Sequence, residues 1–207
     1  MAGLCIAIAS IYSLMKNIDV NRNLQSIENP GRRRFLNLGL AATATLLSGT
    51  AFGRAGSGEK ALAFHNLHTG EKLRATYWAN GRYLDEGMML INEVLRDHRT
   101  NEAIDFSYEL MDLLHAMQLQ LGTKKPFHVV SGYRSPKTND MLRRTSSGVA
   151  KRSFHMQGQA IDIRMPGASL QNVHKAALAL RGGGVGYYPG SNFIHLDVGP
   201  VRHWRGK

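Results

Sequence analysis

The chain is nearly free of cysteine: one residue, Cys5, in 207. Beyond the N-terminal region there is no thiol at all. That excludes a disulfide scaffold, a cysteine nucleophile and a Cys-ligated zinc site. Any metal must be held by His, Asp or Glu. Long hydrophobic runs are also missing, because the apolar stretch after Phe35-Leu36 is too short and too rich in Ala, Thr and Gly for a secure membrane span. After residue 60 there is no internal repeat and no low-complexity segment, so one domain is expected. Motifs for reading nucleic acid are absent as well. The formal charge is +11, but six of the basic residues lie in the first 55, against two acidic ones. Residues 56–207 carry 20 basic and 13 acidic side chains, scattered apart from short pairs such as Arg143-Arg144 and Lys151-Arg152. No recognition helix, zinc knuckle or stacking motif accompanies them, and nucleic acid is not expected as a partner. A net positive surface suits carboxylate-rich polymers in general.

What is present begins with an address. "GRRRFLNLGLAATATLLSGTAFGRA" (31–55) places Arg32-Arg33 ahead of Phe35-Leu36 and a weakly apolar run, ending in small residues. This resembles a twin-arginine export signal, with cleavage at 51–55. The expected organisation is therefore 1–55 as extension and signal, and 56–207 as the mature domain, periplasmic and without stable membrane insertion.

In the mature part, alternating runs flank His68-Thr69-Gly70-Glu71 and read as a hairpin. A helix is expected over 85–98, with Asp85 as N-cap and Met89, Leu90, Val94 and Leu95 inward. A second is expected over 107–121 with Leu110, Leu113, Leu114, Met117 and Leu121 as its stripe. "FHVVSG" (127–132) reads as a buried strand, and Pro136 opens a short helix. Ala160–Arg164 reads as a strand, 169–180 as a helix, and "GVGYYP" and "NFIHLDVG" as paired strands. Helices early and strands late point to an α+β domain with a small antiparallel sheet.

Two of the nine histidines stand out. His155, in "SFHMQGQAIDIR", precedes Gly158, which lets the backbone turn before a strand that carries Asp162. His195 lies in "FIHLDVG" between apolar neighbours. Two imidazoles and one carboxylate make a three-ligand set with an open position, as in catalytic zinc sites. His65, His68, His98, His115, His128 and His174 have ordinary surface or structural readings.

These residues resemble a family. Ser153, His155, Gly158, Ala160 and Asp162 spell SxHxxGxAxD, and His195 and Asp197 a later HxD. Together with "NLHTGE", "SGYRS" and "GGVGYYPGSNFIHLDVGPVRHW", they make residues 62–205 similar to the M15 zinc peptidases that act on peptidoglycan. The resemblance is to their murein endopeptidases above all. It implies a Hedgehog/D-Ala-D-Ala peptidase-like fold, one zinc per chain held by His155, Asp162 and His195, and peptidoglycan as substrate. It also implies that Arg134 binds the substrate carbonyl or developing oxyanion, with Ser131 and Tyr133 shaping the same loop. The activity implied is cleavage of D-Ala-diaminopimelate or diaminopimelate-diaminopimelate cross-links. Carboxypeptidase action, or a wall-binding module without catalysis, is the alternative. One departure concerns the general base. Family members carry Glu three residues before the last ligand His or His two before it, whereas Asn192 and Phe193 stand here. Asp197 is then a candidate either as base or as a group that orients a ligand imidazole. His203 is the other titratable candidate.

Overall fold

The structure is a computed structural model that describes residues 58–206 except 147. The hairpin forms as expected: β1 (Lys60–Asn66) pairs antiparallel with β2 (Lys72–Ala79). β3 (Arg82–Tyr83) adds a short edge. Helix α1 (Asp85–Val94) and helix α2 (Tyr108–Gln120) follow, then β4 (Phe127–Ser131) and α3 (Pro136–Thr145). A 3-10 turn (Phe154–Gln157) leads into β5 (Ala160–Arg164) and α4 (Leu170–Leu180). Strands β6 (Gly184–Tyr188), β7 (Phe193–Asp197) and β8 (Arg202–Arg205) close the chain. Among the described residues, no helix is long and apolar enough to cross a membrane.

The sheet departs from the antiparallel expectation. It has eight strands in the order β3-β2-β1-β4-β5-β7-β6-β8 and is mixed, because β1 runs parallel to β4 and β6 parallel to β8. Parallel neighbours need a long crossover. Between β1 and β4 that crossover contains α1 and α2, so it is not visible in any local pattern.

Helix starts are written in the sequence. Ser107, Ser135 and Ser169 each accept a bond from the backbone N–H three residues on, at 3.2 Å, and Pro136 occupies the first turn of α3. Helix α1 differs from expectation. Its N-cap is Leu84, not Asp85, and it ends at Val94. Met89 and Leu90 are 68% and 53% exposed, and the inward face is Gly87, Met88, Ile91, Val94 and Leu95. The inward face carries Gly87, where a Cβ would stand 2.0 Å from the Thr76 carbonyl oxygen. The helix backbone lies against β2 there, and the close approach goes with this rotation of the helix. In α2 the stripe is Leu110, Met111, Leu114 and Met117, with Leu113 and Leu121 only partly buried.

Beyond α1 the chain is captured by Asp97, a side chain only 1% exposed. Its carboxylate accepts from the backbone N–H of Arg99 and of Ser135, both at 2.9 Å. Burial works to raise its pKa, but bonds from Thr138, Arg99 and Ser135 outweigh that and hold it down to about 2. A depressed carboxylate stabilises the fold above its unfolded value near 3.8, and that contribution disappears as pH falls through about 2. Asp97→Asn should therefore cost ~2 kcal/mol at pH 5. The gap between variant and wild type in urea melts should close as pH falls from 4 to 2. A gap that stays constant over that window would contradict the assignment.

One face of the sheet packs under the helices. Ile161 and Ile163 of β5 and Ile194 and Leu196 of β7 are fully buried there with Phe64, Leu114 and Phe127. Strand alternation sends Asp162, His195 and Asp197 to the other face.

Candidate metal centre and cleft

The site is one row across the sheet. Register pairs Ser131 with Asp162, Asp162 with His195, His195 with Gly186, and Gly186 with Trp204. Five strands thus present one residue each at the same level of the same face. Gly186 is needed in that row because a Cβ there would meet the Trp204 indole at 2.7 Å.

His155 reaches the row from outside the sheet. Ser153 caps the 3-10 turn through the His155 N–H, and Gly158 ends it in the left-handed region at φ 64°. A side chain at 158 would also strike the Asp105 carbonyl oxygen at 2.4 Å. The loop after β4 locks onto this turn. The Arg134 N–H donates to the His155 carbonyl at 3.3 Å, and the Tyr133 N–H to the Leu95 carbonyl at 2.8 Å. Gly132 lies so close to α1's end that a Cβ would be 2.3 Å from the Leu95 oxygen.

Three ligand-type atoms converge. His155 Nε2 lies 3.2 Å from Asp162 Oδ1 and 3.1 Å from His195 Nδ1, and His195 Nδ1 lies 2.8 Å from Asp162 Oδ1. His155 and Asp162 are buried and His195 nearly so. The outer nitrogens decide the tautomers. His155 Nδ1 is 2.7 Å from the Gly132 carbonyl, which can only accept, so Nδ1 carries the proton and Nε2 a lone pair. His195 Nε2 faces Asp197 Oδ2 at 3.1 Å, which leaves Nδ1 as the lone pair. With both imidazoles neutral, two lone pairs and a carboxylate oxygen point at one another. Such a set fits a cation, and its donor types suit a divalent ion of the zinc kind.

The electrostatics agree. Burial pushes the His155 pKa down to about 4, against the pull of Asp162, so its imidazole is neutral at physiological pH. Burial alone would raise the Asp162 pKa, yet His155 and Arg134 hold that carboxyl well below the usual range. His195 is moved the other way. Burial lowers its pKa, but hydrogen bonds to Asp162 and Asp197 outweigh this and raise it, so positive charge is favoured between the two carboxylates, carried by a proton on Nδ1 or by a cation in its place.

Arg134 anchors beside the centre. Its Nε donates to Ser131 Oγ at 2.8 Å and its Nη2 pairs with Asp162 Oδ2, the oxygen turned away from the imidazoles. The guanidinium borders a cleft of about 1000 Å³ that opens over the triad. Phe154, Tyr188, Phe193, Arg202 and Trp204 also line it.

The remaining sequence candidates separate here. Asp197 is fully buried and has no free oxygen. Oδ1 accepts from the N–H groups of Gly184 and Gly199 and from Arg202 Nη1 at 2.9–3.1 Å, while Oδ2 takes His195 and Arg202. Burial would raise its pKa, but these partners hold it far below the carboxylate range. His203 does not join the cleft. It alternates with Arg202 and Trp204 along β8, on the face turned toward His174 of α4. Asn192 takes a left-handed turn at φ 54°, and Phe193 stacks on Tyr188 with ring centroids 4.5 Å apart, so both serve the hairpin. Among the described residues lining the cleft, no carboxylate or imidazole stands outside the triad. Arg202 and Trp204 carried no role in the sequence reading, and "PVRHW" gave no spacing signal that they would fold back over His195.

A buried two-His, one-Asp centre on a mixed sheet, beside an open cleft, is the arrangement of an M15-type peptidase. The chain belongs to the family described as Peptidoglycan L,D-endopeptidase MepK (Peptidase_M15_2), whose model matches residues 54–204. It is 45% identical over 175 residues to Peptidoglycan L,D-endopeptidase MepK of Escherichia coli strain K12, covering 84% of this chain and 96% of that protein. It is 39% identical over 178 residues to the probable peptidoglycan L,D-endopeptidase MepK of Haemophilus influenzae, with the same coverage.

Proposed function

We propose that the domain is a zinc-dependent endopeptidase that hydrolyses peptide cross-links of periplasmic peptidoglycan, with export through the twin-arginine signal at 31–55. That segment lies outside the described residues. The observation that carries the reading is the convergence of His155 Nε2, Asp162 Oδ1 and His195 Nδ1, with both tautomers set by outer partners. These three atoms would hold one zinc, leaving a position open toward the cleft. When bound, zinc supplies Lewis-acid chemistry, polarising a peptide carbonyl and activating water near neutral pH. Arg134, held by Ser131 and Asp162, places a fixed positive charge where the carbonyl oxygen gains negative charge. Asp197 has the orienting role of the two open to it, because every lone pair it could offer a proton is already engaged. His203 is not a candidate base on this reading, since it faces away.

The names of the relatives support an L,D bond, between two diaminopimelate residues, as the one cut. A second reading has one specific observation behind it: the absence of a free base among the described cleft residues favours a wall-binding module that keeps the metal but does not turn over. One experiment separates these. Purified domain is incubated with cross-linked muropeptide dimers carrying either D,D or L,D bonds, with and without chelator, and products are read by mass. Chelator-sensitive conversion of L,D dimers to monomers is expected. Loss of a terminal residue only would indicate a carboxypeptidase, and binding without products the non-catalytic module.

A further inference from the structure

The face of the sheet beyond His195 holds a device that the metal triad alone does not explain. Arg202, two strands away on β8, grips Asp197 through both guanidinium nitrogens, with Nη1 to Oδ1 at 3.0 Å and Nη2 to Oδ2 at 2.7 Å. Asp197 Oδ2 in turn receives His195 Nε2. The guanidinium lies between two aromatic faces, 5.4 Å from the Phe154 ring centroid and 5.1 Å from that of Trp204. Each ring belongs to the metal centre by another route. Phe154 precedes His155 in the 3-10 turn, and the Trp204 ring is 5.3 Å from the His195 imidazole. Trp204 is fixed by its Nε1–H bond to the Tyr188 hydroxyl at 2.9 Å.

The space for this grip is made by glycines. A Cβ at Gly184 would meet Asp197 Oδ2 and Arg202 Nη1, both at 2.4 Å, and one at Gly199 would meet Phe154 Cζ at 2.5 Å. The same two glycines give their N–H groups to Asp197. A surface arginine paired with a carboxylate is ordinarily worth little. Here the carboxylate is fully buried, the pair is bidentate, and the arginine cannot swing away without leaving both rings.

We propose that Arg202 is a positioning residue for the metal: clamped between Phe154 and Trp204, it holds Asp197 in the one orientation that presents Oδ2 to His195 Nε2, and so aims His195 Nδ1 at the site. Its 41% exposed side chain borders the cleft, which makes direct substrate binding the rival role. The proposal rests on His195 being a ligand, as argued above.

The test measures zinc affinity of the folded domain by chelator competition, alongside kcat and KM on an L,D muropeptide dimer. Arg202→Met keeps the length between the rings but loses the fork. It should weaken zinc ~10–100-fold, the usual effect of losing an outer partner of a ligand imidazole, with KM unchanged at saturating zinc. Arg202→Lys keeps charge without the fork and should fall between. In an Asp197→Asn background, itself weaker for zinc, the further loss from Arg202→Met should vanish, because the two act as one unit. If Arg202→Met raises KM and leaves zinc affinity intact, the arginine binds substrate and the proposal is overturned. It is equally overturned if the loss is the same size in both backgrounds. Urea melts separate either result from a general loss of stability, and Arg202→Lys serves if the Met variant does not fold. Failure of the functional reading is distinct, since wild-type domain would then bind no zinc at the triad.

Discussion

His155→Ala is expected to leave less than a tenth of the zinc of wild-type domain and to reduce peptidase activity by more than ~100-fold. Loss of an outer partner of a metal ligand already costs ~10–100-fold in affinity or activity, and this change removes a direct bond. The imidazole is also the only one of the three groups not on the sheet. Without it, Asp162 and His195 remain cross-strand neighbours with an open side facing the 3-10 turn. The lost bond to the Gly132 carbonyl should cost a further ~1–3 kcal/mol of stability, so circular dichroism and a melt accompany the metal analysis. Zinc at one equivalent in a folded His155→Ala domain would remove His155 from the ligand set.

Arg134→Ala is expected to lower kcat ~10²–10³-fold, the usual effect of removing a donor aimed at a developing oxyanion, while zinc stays bound. The reason for retention is geometric. Arg134 takes Asp162 Oδ2, whereas Oδ1 faces the two imidazoles, so the guanidinium and a bound metal would not compete for one oxygen. Arg134→Lys should recover only part of the rate, because an ammonium cannot hold both Ser131 Oγ and Asp162 while facing the cleft. Zinc analysis beside steady-state kinetics decides the matter. If zinc leaves together with activity, Arg134 acts by holding Asp162, and the oxyanion role is lost.

These two expectations differ in how much of them the chain itself displayed. The pairing of His155 with Asp162 is local, seven residues with a glycine between, and the alternation of β5 turns Asp162 away from Ile161 and Ile163. Periodicity carries that much. Likewise the caps at Ser107, Ser135 and Ser169 are short-range chemistry, and the helices they open stand where expected. The phase of α1 is another matter. Met89 and Leu90 look as apolar as Met88 and Ile91, and the inward face is the one that also carries Val94 and Leu95 and lets Gly87 approach the Thr76 carbonyl closely.

The general base shows the same division. His195 and Asp197 are two positions apart, with Leu196 between them, so a shared strand face was predictable. Its two possible roles were not distinguishable, because they depend on what else reaches the carboxylate. Arg202 and the Gly184 and Gly199 amides arrive from β8, β6 and the turn after β7. With them in place the oxygens are saturated. His203 was chosen for its chemistry, and strand alternation in β8, an element with no clear signal in "VRHWR", sends it to the helix face.

By itself, then, the sequence determined the candidate ligand types, the helix starts and the faces of β5 and β7, since each depends on residues close together in the chain. Tertiary structure alone decided the mixed sheet, the row from Ser131 to Trp204, and the burial that turns Asp197 from a titratable acid into a fixed acceptor. Those depend on which strands lie side by side. Strand order is set by burying the whole apolar face at once, through crossovers that no local spacing records.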